Sequence, residues 1–374
     1  MPSPWSIGED DTMAQTKISP QAIDLEFART IDRTLVHRES LAEVFLTDSR
    51  QVDEDTYAVA AFLPRSHAYY GDHLLTPAAY DPMLLLEACR QGAILGAHRH
   101  YDVPLDHKFI LTHMRIRIDR PELLTVGAKP RRVTMTVTTS RRVRDDRITG
   151  IDYAMRLEIA GFEFGSAAIG MRFKSPEGYM ALRLRNRDGA LLRSTSVPPE
   201  QSPGAPVAPH LVGRMLPDNV VLCDAKAERS GASAVLRLAA NHPSLFDHPQ
   251  DHIPGMVLAE AARQVVHYGA LEVRGVSAVK SYLTELSATF SAFGELERDI
   301  TLHASIGAPE AASGPGSPLA EDGITYTAAG PGEIEGLPGD PAAAPLTVVA
   351  DVDVRQNDRS ICAVGCVLTG VHGR

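Results

Sequence analysis

Two stretches of this chain are the same helix written twice. DPMLLLEACRQ (residues 81–91) and PGMVLAEAARQ (residues 254–264) superpose without a gap, setting Met83 on Met256, Glu87 on Glu260, Arg90 on Arg263 and Gln91 on Gln264. The offset is 173 residues (260 minus 87), close to half of the 374-residue chain. Such a repeat means two copies of one domain, which limits the chain to folds able to pair with themselves.

The surroundings repeat as well. Upstream of the helices lie LAEVFLTDSRQVDEDTYAVAAFLP and VVLCDAKAERSGASAVLRLAA, each a strand-like run leading to a histidine-bearing loop. Downstream come FILTHMRIRI, RRVTMTVTTSRRV and GIDYAMRLEIAGFEFGSAAIGMRF in the first half, and LTELSATFSAF, RDITLHASI and LTVVADVDVRQNDRSICAVGCVLTGV in the second. One long apolar helix and about five strands per copy predict an α+β unit with an antiparallel sheet wrapped round its helix. Residues 1–23 are expected to be a disordered leader, 24–195 the first copy, 196–209 (SVPPEQSPGAPVAP) a linker, and 210–374 the second copy. A Gly-, Pro- and Ala-rich insertion near 307–344 cannot support a packed core.

The net charge of −10 disfavours nucleic acid and anionic lipid as partners. No run approaches the length of a membrane span and the N-terminus lacks an apolar signal region, so a cytoplasmic location is expected. Cys89, Cys223, Cys362 and Cys366 sit in apolar runs without metal-finger spacing and read as buried thiols. His248 and His252 are four apart but precede Pro254 in a loop and lack the zinc-protease glutamate, so no metal is expected. With no glycine-rich phosphate loop and no Gly-x-Ser-x-Gly elbow, no nucleotide cofactor or serine nucleophile is expected either.

Both helices are apolar nearly all round, so both should be buried nearly all round. Positions i, i+3 and i+4 share a face, which brings Glu87, Arg90 and Gln91 together, and likewise Glu260, Arg263 and Gln264. Two readings stand open. Each triplet is a self-satisfied ion pair that fixes packing, or it walls a cleft in which a carboxylate is tuned for proton transfer. The loops before the helices add His67 and His73 in PRSHAYYGDH, and His248 and His252 in FDHPQDHIPG. An imidazole can take a proton from a hydroxyl, and free amides at Gly255 and Met256 could stabilise charge developing on a thioester oxygen.

LVHRESLAEVFLTD, PRSHAYYGDH, YDPMLLLEACRQGAILGAHRHYDVPLDHKF and DHPQDHIPGMVLAEAARQ together resemble the A-factor biosynthesis hotdog-domain family, over nearly all of residues 30–370 apart from the linker and the insertion. The resemblance implies a tandem double hotdog, with two clefts at the seam, each built from both copies. It implies an acyltransferase of γ-butyrolactone, butenolide or furan signalling-molecule biosynthesis in actinobacteria. A β-ketoacyl group would pass from an acyl carrier protein to the primary hydroxyl of dihydroxyacetone phosphate. The second-half run is also similar to the active-site segment of hotdog hydroxyacyl-carrier dehydratases, with Glu260 five residues after Gly255. The first half departs from that pattern, because Asp81-Pro82 replaces Pro-Gly, and its site is expected to be degenerate or divided in labour.

On that resemblance, Glu260 with His248 or His252 would activate the acceptor hydroxyl, and Glu87 would be the counterpart in the other cleft. Gly255 and Met256 would hold the thioester oxygen. Arg263 or Arg90 would bind the acceptor's phosphate beside Gln264 and Gln91, while His67 and His73 would line the first copy's loop. The basic stretch 129–147 is either a docking patch for the acidic carrier or the charged edge of a sheet. A dehydratase or thioesterase on acyl carriers, and a non-catalytic acyl binder, remain as alternatives; a homodimer is left open.

Overall fold

The computed structural model describes residues 23–187, 189–196, 204–311 and 346–371. All but residue 23 of the expected leader, half of the linker and nearly all of the insertion lie outside these residues.

The first copy runs β1 (Leu46–Gln51), β2 (Thr56–Leu63), α1 (Pro82–Tyr101), β3 (Lys108–Ile118), β4 (Arg131–Arg144), β5 (Arg147–Ile159) and β6 (Phe162–Lys174). A helix absent from the sequence expectation, α2 (Pro176–Asn186), follows. The second copy runs β7 (Leu222–Ala227), β8 (Gly231–Leu236), α3 (Gly255–Arg274), β9 (Ser281–Phe290), β10 (Ile300–Ile306), a short β11 (Glu310–Ala311), β12 (Leu346–Gln356) and β13 (Arg359–Gly370).

The strands join in one continuous antiparallel sheet, in the order β1-β2-β4-β5-β6-β3-β9-β13-β12-β10-β8-β7, with β11 on β12. The order is a palindrome: every strand of the first copy has its counterpart equally far from the centre. This is a tandem double hotdog, with six main strands per copy where about five were expected. The copies meet where β3 pairs with β9, Met114 opposite Ala288 and Arg117 opposite Glu285. Arg115 reaches across that seam to Glu285 at 2.5 Å.

Strands form where burial alternates. In β5, Tyr153, Met155 and Leu157 point inward while Arg156 faces out. The helix α1 starts where Asp81 accepts the Met83 N–H at 2.8 Å and Pro82 supplies the first helical residue. Its burial is nearly complete, and Gly96 lets Tyr57 lie against the backbone, where a Cβ would come within 2.2 Å of the Tyr57 oxygen.

Two loops tie the copies together symmetrically. Asp72 accepts the amides of Met215 and Leu216, and Asp247 accepts those of Glu39 and Ser40. The sheet-edge reading of residues 129–147 fails over Arg131–Thr138, where β4 lies between β2 and β5; beyond Thr138 β4 pairs with β5 alone. Three of its arginines are paired with carboxylates, Arg141 with Glu54 and Asp55, Arg142 with Asp152, and Arg144 with Asp145. Among the described residues no helix is long and apolar enough to cross a membrane.

Candidate active site

Each polar triplet is one part of a larger buried cluster. Glu87, without exposed surface, accepts from Arg90 Nε at 2.7 Å and from Gln91 Nε2 at 2.8 Å, and a second arginine, Arg38, lies 2.5 Å away. Glu260, equally buried, meets Arg263 at 2.6 Å, Gln264 at 2.6 Å and Arg214 at 2.7 Å. The glutamines then pin the chain entering the first strand of each copy. Gln91 bonds the Glu43 carbonyl and the Phe45 amide; Gln264 bonds the Asn219 carbonyl and the Val221 amide. Burial alone would raise the Glu87 carboxyl, but Arg38 and Arg90 outweigh it and hold it at about 2. A carboxylate so held stays ionised and carries no proton at neutral pH. The packing reading therefore describes Glu87, while Arg38 and Arg90 border open space.

That space is on one side only. A cavity of about 730 Å³ is walled by Arg38, Arg90 and Ile94 of the first copy and by the second copy's 244–252 loop and the head of α3, Pro254 to Met256. Its pseudo-symmetric counterpart, lined by His73, Asp81, Pro82, Gly213, Arg263 and His267, has shrunk to about 30 Å³. The grouping expected from sequence is thus rearranged. His248, His252, Gly255 and Met256 share a cleft with Arg90, and Glu87 stands behind it; Glu260, Arg263 and Gln264 belong to the closed cleft with His73.

Within the open cleft the histidines differ. His252 Nδ1 lies 2.5 Å from the Asp251 carboxylate, which also accepts the Tyr179 hydroxyl at 2.9 Å, and no described residue bonds its Nε2. A carboxylate on Nδ1 fixes the tautomer with a lone pair on Nε2, which is the orientation a general base needs. His248 lacks that freedom, because its Nε2 is taken by the Gln250 amide at 2.6 Å. His67 is structural: its Nδ1 accepts the Tyr69 and Tyr70 amides while Nε2 faces Glu43 at 3.3 Å. His73 accepts the Leu75 amide, and burial lowers its pKa. At the head of α3 no side chain caps the helix, and the Gly255 and Met256 amides have no described acceptor.

Sequence reasoning missed four contributors. Arg38 and Arg214 complete the clusters. His37 lines the open cleft, with Nε2 at 2.8 Å from His98 Nε2. His98 Nδ1 must donate to the Val103 carbonyl at 2.6 Å, so its Nε2 accepts from His37 and leaves a lone pair on His37 Nδ1. Burial, then the charges of His98 and Arg90, lower His37 to about 3, which keeps it neutral. The fourth is α2, whose buried Arg183 binds Glu295 and the Asp251 carbonyl, while Tyr179 steadies the Asp251 carboxylate. Its signal was the Ser-Pro-Glu helix start at 175–177.

A family model, A-factor biosynthesis hotdog domain, matches residues 20–173 and again 196–329. The chain belongs to this family. It is 34% identical over 279 residues to a 2-oxo-3-(phosphooxy)propyl 3-oxoalkanoate synthase of Streptomyces virginiae, covering 74% of this chain and 87% of that one. A protein of the same description from Streptomyces griseus is 32% identical over 64% of this chain and 76% of its own. Among solved structures, the 12:0-ACP thioesterase from Umbellularia californica aligns over 84% of this chain and 93% of its own, with a TM-score of 0.39 and 7% identity.

Proposed function

We propose that this family member transfers a β-ketoacyl group from the thioester of an acyl carrier protein to the primary hydroxyl of dihydroxyacetone phosphate, supplying the ester from which a γ-butyrolactone or butenolide signal is made. The observation that carries this is the open cleft with an oriented imidazole, free amides and arginines on one wall. The relatives' description, an ester of a phosphooxypropyl alcohol with a 3-oxoalkanoic acid, names the corresponding product.

In this reading His252 Nε2 removes the hydroxyl proton as the oxygen attacks the thioester carbon, and Asp251 holds the resulting imidazolium. The carbonyl oxygen becomes an oxyanion held by the Gly255 and Met256 amides at the positive end of α3. Collapse expels the carrier's thiolate, which takes its proton from His252. Ile94, Phe109, Leu111 and Met171 offer the acyl chain an apolar wall. Glu87 acts through Arg38 and Arg90, which it fixes at the wall.

The same base could activate water, so the test must separate transfer from hydrolysis. With β-ketoacyl carrier protein as donor, thiol should appear only when dihydroxyacetone phosphate is present, and mass spectrometry should find the phosphorylated ester. Thiol release independent of the acceptor would replace this reading with a thioesterase, and loss of water from a hydroxyacyl carrier would replace it with a dehydratase.

A further inference from the structure

The closed cleft carries an anion of its own. Asp81, buried at the head of α1, accepts from Arg263 Nη1 at 2.6 Å and lies 4.0 Å from Arg214 Nη1. Two arginines there face two carboxylates, Glu260 and Asp81. The repeat puts Pro254 where Asp81 stands (81 plus 173), so in the open cleft Arg38 and Arg90 bond Glu87 alone, while Glu43, engaged by Ser244 and His67, acts on Arg38 only through space.

The free donors are the equivalent atoms. Arg90 uses Nε and Nη2 on Glu87, and its Nη1, the atom by which Arg263 holds Asp81, has no partner among the described residues. Arg214 Nη1 is held by the Tyr69 and Asp72 carbonyls, whereas Arg38, 8% exposed, has no described partner for its Nη1. Three carboxylates that also line the cavity are engaged elsewhere, Asp106 by His107, Asp247 by backbone amides of Glu39 and Ser40, and Asp251 by His252 and Tyr179. With Arg38 buried, Arg90 half-buried and one carboxylate bonded to both, the pair keeps guanidinium donors unmatched, and guanidinium forks match the oxygens of a phosphate.

We propose that Arg90 and Arg38 bind the phosphomonoester of the three-carbon acceptor, in the role that Asp81 plays internally for the closed cleft. The assignment rests on the acyl-transfer reading for the ligand's identity, and it selects Arg90 over Arg263. It also accounts for a single working site per chain, because the second arginine pair is already neutralised from within.

Calorimetric titration of the full chain in the absence of any acyl donor tests it. Dihydroxyacetone phosphate should bind at one site per chain, and dihydroxyacetone at least a hundredfold more weakly. Arg90→Gln should weaken phosphate-ester binding ten- to hundredfold, Arg90→Lys should recover part of it, and thermal melting should report both variants folded. In turnover, Arg90→Gln should raise KM for dihydroxyacetone phosphate and leave KM for dihydroxyacetone unchanged. Binding unaffected by Arg90→Gln, equal loss for both acceptors, or equal competition by the phosphodiester glycerophosphocholine overturns the assignment. Failure of acyl transfer with Arg90-dependent binding intact would sink the proposed reaction and leave the phosphate site standing.

Discussion

Glu87 and Glu260 occupy equivalent turns of equivalent helices, both without exposed surface, yet their amides are expected to fail differently. Glu260→Gln leaves Arg214 and Arg263 facing Asp81 alone beside a void of about 30 Å³. Removing one partner of a buried ion pair costs about 3–5 kcal/mol, so its urea midpoint should drop steeply. Glu87→Gln frees two arginines that border the open cavity, where water can reach them; its fold should lose about 1–2 kcal/mol, with the larger effect on acyl transfer. Equal destabilisation of the two variants would contradict the one-sided opening. His252→Ala should cut transfer by about 10²–10⁴-fold at unchanged melting temperature, and Asp251→Asn should give an intermediate loss, both read in the thiol-release assay. At this scale the Glu, Arg and Gln triplets were legible, because three residues at helical spacing recur in register. Arg38 and Arg214 were not, although Leu-Val-His-Arg at 35–38 and Leu-Val-Gly-Arg at 211–214 repeat: their offset is 176, not 173, and so short a match hides when the register slips.

The elements show why the histidines were grouped with the wrong glutamate. His67-x4-Asp72-His73 repeats as His242-x4-Asp247-His248, which makes His248 the counterpart of His73, while His252, two residues before Pro254, stands where the first copy has Ala79, two residues before Asp81. A one-dimensional reading naturally joins a loop to the helix that follows it. The fold instead crosses the copies, laying the second loop against α1, and no local pattern encodes that crossing. The strands were easier, since alternation over β4, β5 and β6 is strict; the edge assignment of β4 failed over Arg131–Thr138 because alternation says nothing about neighbours. Helix packing offers its own test at Gly96, whose hydrogen faces the Tyr57 ring. A Cβ there would sit 2.2 Å from the phenol oxygen and 2.3 Å from the ring carbon bearing it. Since both residues are in a filled core, Gly96→Ala should destabilise by about 1–3 kcal/mol despite alanine's better helix propensity, and a lowered melting temperature would register it.

Across the whole molecule, the pseudo-twofold is kept where it holds the copies together and broken where it would make a second cleft. Asp72 and Asp247 clamp opposite loops alike, but His37 is replaced by Gly213, Ile94 by His267 and Pro254 by Asp81 on the closed side. This replacement leaves each side with a histidine that the fold keeps neutral. Burial dominates in both, helped by His98 and Arg90 at His37 and by Arg263 and Arg214 at His267, and each is lowered from 6.5 to about 3. The sign follows directly. Between about pH 3 and 6.5 the unfolded chain binds protons at these positions and the folded chain does not, so stability is complete above about pH 6.5 and falls as the pH drops. Two such groups give a slope of about 2.7 kcal/mol per pH unit in the middle of that window. Glu87, lowered from 4.5 to about 2, adds to the loss only below about pH 4.5. Urea midpoints measured from pH 8 to pH 4 should therefore be level above neutrality and decline from about pH 6. His37→Gln should flatten part of that decline while His267, with the other histidines that burial lowers, His73, His98, His100 and His242, supplies the rest; a stability maximum near pH 5 would mean that the fold does not hold these imidazoles neutral.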